Sequence, residues 1–264
     1  MSTTTARLAA LPFALLALGL RVLDTFWITP LTWRIDAWQP ALAAWVATLI
    51  ASVGLPLAGY LLLTRRARRR AETWRIETGG PAPARFLASA APRWTGPYAI
   101  LLGWLAGSGL ITERVPGGDR MRMATFGYVF PVSILLVGMT VAVTVALTIS
   151  DRPRLTMDRD AVTLWHHLGR LRLTWGELIP GGPPPPAKRN PDTITIYRML
   201  HGVATPVRLP AGRLQVAPAF VAHTLRHYTE HPGQRGGIGT EAGLTELRST
   251  FRADQGGPAQ SSTS

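Results

Sequence analysis

Residues Leu61–Ala71 read LLLTRRARRRA: three leucines run directly into five arginines, Arg65, Arg66, Arg68, Arg69 and Arg70. Such a border is either a nucleic-acid handle or the edge of a membrane span. The flanking residues decide. Upstream, Ala41–Leu63 is 23 residues without a formal charge. A hydrocarbon core about 30 Å thick takes about 20 helical residues, so this window is long enough to cross it. Pro56 within it is tolerated in a transmembrane helix. Further along, Phe126–Ile149 is 24 uncharged residues and spans by the same measure. No aromatic residue interleaves with the arginines as a base-stacking platform requires, so nucleic acid is not the expected partner.

Two further windows are shorter. Leu8–Leu20 is apolar until Arg21 and Asp24, and continuing the helix to Thr29 gives a span over 8–29. Arg21 and Asp24 stand three apart on one helical face and are placed to pair. A charged pair inside a span is a candidate functional feature. A cleaved signal peptide is the other reading of this segment, but no small-x-small cleavage site follows Leu20. Pro97–Thr112, between Arg93 and Glu113, reads as a short span or a re-entrant segment.

The predicted membrane region is thus 1–150, with spans near 8–29, 41–63, 97–112 and 126–149. The loop 64–96 holds eight arginines, whereas 30–40 holds only Arg34, offset by Asp36. Positive loops stay cytoplasmic, which places both termini inside a multi-pass plasma-membrane protein. Arg65, Arg66, Arg68, Arg69 and Arg70 then serve as topology determinants within reach of anionic headgroups.

Composition agrees. Among 264 residues the net charge is +13, yet charged residues are only 16% and hydrophobic residues 47%, against about a quarter charged in soluble domains. Cysteine is absent, which excludes disulfides, thiolate metal sites and a cysteine nucleophile. Lys188 is the only lysine, so arginine dominance reflects coding bias rather than selection for phosphate.

After Ile149 the pattern changes. Arg154–Met157, Ala161–Trp165 and Arg170–Trp175 alternate apolar and polar residues across short turns, an antiparallel meander. Thr193–Tyr197 and Thr205–Leu209 read as further strands, with Pro206 marking an edge. Pro218–Glu230 places Phe220, Val221, Thr224, Leu225 and Tyr228 on one helical face. Gly181–Pro191 is a proline-rich loop. Residues 233–264 are rich in Gly, Ser and Gln and read as a disordered tail.

The stretch RLTMDRDAVTLWHHLGRLRLTWGELI (154–179) resembles the opening of bacterial pleckstrin-homology-like (PH-like) domains. Leu155, Asp160-Ala161-Val162 and Trp175-Gly176-Glu177-Leu178-Ile179 match the family's pattern, with Ala161 in place of its usual turn glycine. The whole chain is similar to bacterial membrane proteins carrying a PH-like domain after paired spans. The resemblance implies a fold class of four transmembrane helices plus a C-terminal, mainly-β PH-like barrel over 151–232, capped by one α-helix, with Trp175 as a core anchor. It also implies headgroup contact by basic hairpin residues, Arg159, Arg170, Arg172, Lys188 and Arg189; the other reading is that Arg170 and Arg172, which alternate with Leu171 and Leu173, are the outward residues of an ordinary strand.

Other chemistry is thin. His223, His227 and His231 recur every four residues, but Pro232 ends the helix there and no HExxH arrangement exists, so they read as a solvated face rather than a metal site. No GxGxxG, GKS/GKT or GxSxG motif occurs. The expectation is a non-catalytic membrane protein without cofactor, presenting a cytoplasmic PH-like binding or scaffolding module. Its partners would be the bilayer, anionic lipids or another membrane protein. The alternative is a small multi-pass transporter in which Arg21 and Asp24 are the polar elements.

Overall fold

The computed structural model describes residues 2–68, 73–78, 83–116, 120–166, 169–183, 191–200 and 202–256. In chain order the elements are α1 (Thr3–Thr32), α2 (Trp38–Leu63), β1 (Arg75–Glu77), β2 (Arg85–Ala88), α3 (Pro92–Ser108), β3 (Thr112–Arg114), β4 (Met121–Met123) and α4 (Val129–Ile149). Then follow β5 (Arg154–Met157), β6 (Ala161–His166), β7 (Gly169–Thr174), β8 (Ile194–Leu200), β9 (Val203–Leu209), α5 (Pro218–Glu230) and α6 (Glu241–Gly256). They form two compact units: Met1–Arg69 with Pro92–Ser150, and Arg70–Ala91 with Asp151–Ser264.

The first unit is a helical bundle. Helices α1, α2 and α4 are each long and apolar enough to cross a membrane, which marks a membrane protein. They replace the expected windows 8–29, 41–63 and 126–149 with slightly different ends. Helix α3 differs more. It starts at Pro92 and stops at Ser108 rather than covering 97–112, and Thr112 already belongs to a two-stranded hairpin, β3–β4. Its 17 residues span about 25 Å. Small residues bring it close to α1: Ala10, Ala14 and Ala17 face Ala99, Gly103 and Gly107. A Cβ on Gly103 would collide with the backbone carbonyl of Ala14. Small residues at fourfold spacing are how helices approach where no hydrophobic force drives them together. At the other end of α3, buried Tyr60 of α2 donates its hydroxyl to Pro92 O at 2.9 Å. The helix C-termini take cations, as the helix dipole favours: Arg68 donates to Leu61 O at 2.7 Å, and Arg7 to Ser150 O at 3.4 Å. Trp27, Trp38 and Tyr128 are exposed at helix ends, as amphipathic rings are at headgroup level.

The second unit is built on an open antiparallel sheet in the order β1-β2-β5-β6-β7. Alternation sets its faces: Leu155, Met157, Val162, Leu164 and Leu173 are buried, and register pairs Leu155 with Leu164 and Val162 with Leu173. The β8–β9 hairpin brings Ile194, Ile196 and Leu209 to the same core, and α5 adds Phe220, Val221, Leu225 and Tyr228. Trp175 is 3% exposed and donates its indole N–H to Asp158 O at 3.0 Å, the anchoring role expected of it.

Three boundaries are corrected. The stretch 64–96 is not a simple loop, because β1 and β2 enter the sheet and Phe86 becomes fully buried core. These strands are too short, and too interrupted by arginine, to show periodicity. The soluble unit is therefore not confined to 151–232. Nor is the tail disordered throughout: α6 buries Leu244 and Leu247 against the core, although its composition is polar. The sheet does not close into a barrel among the described residues, and two helices, not one, cover it.

Candidate functional site

A polar cluster lies inside the helical bundle. Helix α1 is α-helical over Ala10–Leu23, π-helical over Asp24–Ile28 and α-helical again over Thr29–Thr32. Arg21 Nη1 donates to Asp24 Oδ2 at 2.6 Å, so the sequence-predicted pair is formed. Asp24 is 1% exposed and the Arg21 side chain 17%. The arginine has further partners on α3: Nε donates to Ser108 Oγ at 3.0 Å, and the guanidinium carbon stands 5.3 Å from the Trp104 ring centre. Trp104 Nε1 in turn donates to Ser52 Oγ of α2 at 2.8 Å. One hydrogen-bonded chain thus joins three helices. Ser108, Trp104 and Ser52 were not picked out from sequence. The available signal was that Trp104 and Ser108 flank the small-residue ridge of α3 at fourfold spacing. Glycine at 107 permits the approach, since a Cβ there would stand 3.0 Å from Arg21 Cβ.

A second polar surface is the outer face of the five-stranded sheet. Register places Arg75, Glu77, Arg85, Arg154, Arg170 and Arg172 on this face, opposite the core row. Glu77 is its one acid among the described residues. It accepts from Arg154 Nη2 at 2.7 Å and from Arg85 Nε. Burial alone would raise the Glu77 carboxyl, but hydrogen bonds and charge from Arg85 and Arg154 outweigh it and hold it below the usual carboxylate range. Arg170 and Arg172 are exposed, and Arg170 stands 5.8 Å from the Trp165 ring centre.

The predicted grouping of Arg159 with Arg170 and Arg172 does not occur. Arg159 lies in the β5–β6 turn and donates to Gly236 O at 3.5 Å. Arg170 lies beside the β6–β7 turn, at the other end of β6, about 17 Å away along the strand. Arg65 and Arg66 are exposed beyond α2, whereas Arg68 caps that helix. Arg69, Arg70, Lys188 and Arg189 lie outside the described residues.

The histidine face is solvated only in part: His231 is exposed as expected, but His223 and His227 are half-buried. Helix α6 lies over His223: its Nε2 meets Thr250 Oγ1 at 3.0 Å, its Nδ1 meets Asp254 Oδ2 at 3.1 Å, and its ring packs on Phe220 and Phe251. Burial pushes the His223 and His227 imidazoles below their ordinary value, and Asp254 only partly opposes this at His223. No group of three or more His, Cys, Asp or Glu side chains is placed to hold a metal ion among the described residues. An apolar cleft of about 270 Å³ lies between the Leu178–Pro183 segment, β8 and α5, lined by Ile179, Ile196, Tyr197 and Leu225.

Comparison with protein-family models, curated proteins and solved structures gives no match, so the PH-like resemblance rests on the residues quoted for it.

Proposed function

We propose that this is a four-pass membrane protein of the plasma membrane whose second unit is a cytoplasmic, PH-like, non-catalytic binding module for anionic headgroups. The observation that carries the reading is the outer sheet face, which bears Arg85, Arg154 and the exposed Arg170 and Arg172, with Glu77 its one acid among the described residues. Arg152 and Arg154 follow the last residue of α4 by only a few positions. A module held this close to lipid binds its headgroups as an intramolecular event, so weak contacts suffice.

Four crossings are supported by connectivity. The second unit is assembled from residues 70–91 and from residues 151–264, and one folded unit lies on one side of a bilayer. Pro92 and Ser150 then start from the same side. If α4 crosses, α3 must cross too, despite its length. The exposed Arg65 and Arg66 make that side cytoplasmic by the positive-inside rule.

The test uses the full chain in nanodiscs. Because cysteine is absent, Thr174→Cys gives a single label beside Arg172 on the outer face. Its access to a water-soluble quencher falls several-fold when anionic lipid replaces neutral lipid, and Arg170→Ala with Arg172→Ala abolishes the difference. Equal access in both lipids refutes headgroup binding. A transporter is the second reading, favoured by the buried Arg21–Asp24 pair at the π-helical turn. Under it, replacing both residues by leucine abolishes flux while insertion persists.

A further inference from the structure

The carboxylate of Asp24 is only half satisfied. Oδ2 accepts from Arg21, but Oδ1 is buried without a hydrogen-bond partner among the described residues. An ionised carboxylate offers about four lone-pair sites, and a buried charged acceptor left unmade is unfavourable. The donors around it are already engaged. Ser108 Oγ donates to Trp104 O, Trp104 Nε1 to Ser52 Oγ and Thr25 Oγ1 to Arg21 O. Of the charged groups near this segment among the described residues, Arg114 of β3 stands over the Trp33 ring, 4.6 Å from its centre. Helices α2 and α4 carry no charge along their lengths, and Arg122 of β4 is paired with Glu113 of β3 at 2.7 Å. Histidine is absent from the first unit.

We propose that Asp24 is a proton-binding site within the membrane bundle, with Oδ1 as the acceptor atom. The ligand is a proton from the aqueous phase. An O–H bond forms, the carboxylate becomes a neutral carboxyl, and the bundle gains one positive charge. Arg21 keeps its hold through Ser108 Oγ and the Trp104 ring, neither of which depends on Asp24. The π-helical turn begins at Asp24 itself. Such turns are frequent at functional sites and are one residue out of α-helical register. Relaxing it to α geometry rotates Thr29–Thr32 by about 100° about the helix axis. Loss of the ion pair therefore acts at the turn that sets the rotation of this segment. This inference goes beyond the headgroup reading and stands without it.

The experiment is infrared difference spectroscopy, acid minus alkaline, on the full chain in neutral-lipid nanodiscs. A protonated-carboxyl stretch is expected to grow on acidification and to disappear in Asp24→Asn. Asp24→Glu shifts that band rather than removing it, and decides the matter if Asp24→Asn does not assemble. A label at Leu31→Cys reports the register change. Its accessibility varies with pH in the otherwise unaltered chain and is constant in Asp24→Asn. Difference spectra between about pH 3 and 9 that neither variant alters overturn the proposal.

Discussion

Replacing Phe86 by alanine in the full chain tests whether a segment between two membrane helices is part of the soluble core. Phe86 is 0% exposed, stacks on Trp74 with ring centres 6.3 Å apart, and lies 6.5 Å from the Tyr228 ring. It pairs with Ile76 on one side and Met157 on the other. Trp74 is itself tied to α5, its indole N–H donating to Thr224 Oγ1 at 2.9 Å. A Phe→Ala change at such a site costs about 3–5 kcal/mol, the transfer term plus the cavity. With a urea m-value of about 2 kcal/mol/M, the unfolding midpoint of this unit falls by about 2 M. The assay is pulse proteolysis in detergent across a urea series, following cleavage within residues 151–256 while the helical bundle stays in the micelle. Leu87→Ala on the outer face is the control and shifts the midpoint little. A Phe86→Ala midpoint within about 0.5 M of the unaltered chain, a change under about 1 kcal/mol at that slope, would refute the assignment of 73–91 to the core. The same packing predicts that 151–264 expressed alone, lacking β1 and β2, exposes Leu155 and Met157 and gives no cooperative transition.

Two further outcomes follow from geometry on other parts of the chain. His223 and His227 have depressed folded-state values, so the unfolded chain binds more protons than the folded one as pH drops below about 6.5. Stability of the second unit is therefore full above that value and declines below it. His223→Gln flattens the dependence, and thermal unfolding at several pH values checks it. In the bundle, Gly103→Leu forces α1 from α3, because even a Cβ meets the Ala14 backbone. It should lower resistance to detergent and heat, read by size-exclusion profiles after heating, whereas Gly138→Leu, with open space at its Cβ position, should not.

What was legible depended on length and on surroundings. Ala41–Leu63 and Phe126–Ile149 announce themselves because an uncharged run of that length has one favourable solvent. The meander from Arg154 to Trp175 is read from period-two alternation, since one face of those strands is buried and the other polar. The Arg21–Asp24 pair is likewise visible, as a three-residue spacing on one helix. Each of these is a property of neighbouring residues. The rest arises between segments far apart in the chain. Strands β1 and β2 are three and four residues long, too short for any period, and become strands only because β5 offers them a partner edge. Helix α6 has a polar composition and holds because Leu244, Leu247 and Phe251 find an apolar surface on α5 and the sheet. The partition of arginines is also tertiary. Register sets Arg170 in the row of Arg154, with Trp165 between them, and Arg172 one row further along, while Arg159 stays in the turn at the other end of β6. The unpartnered oxygen of Asp24 is of the same kind, for spacing supplies its arginine while packing of α2 and β4 on its turn buries it. Hydrocarbon solvation and backbone periodicity act locally and are written in the order of residues. Burial is a property of what folds over a group, and the chain reveals that only once it is closed.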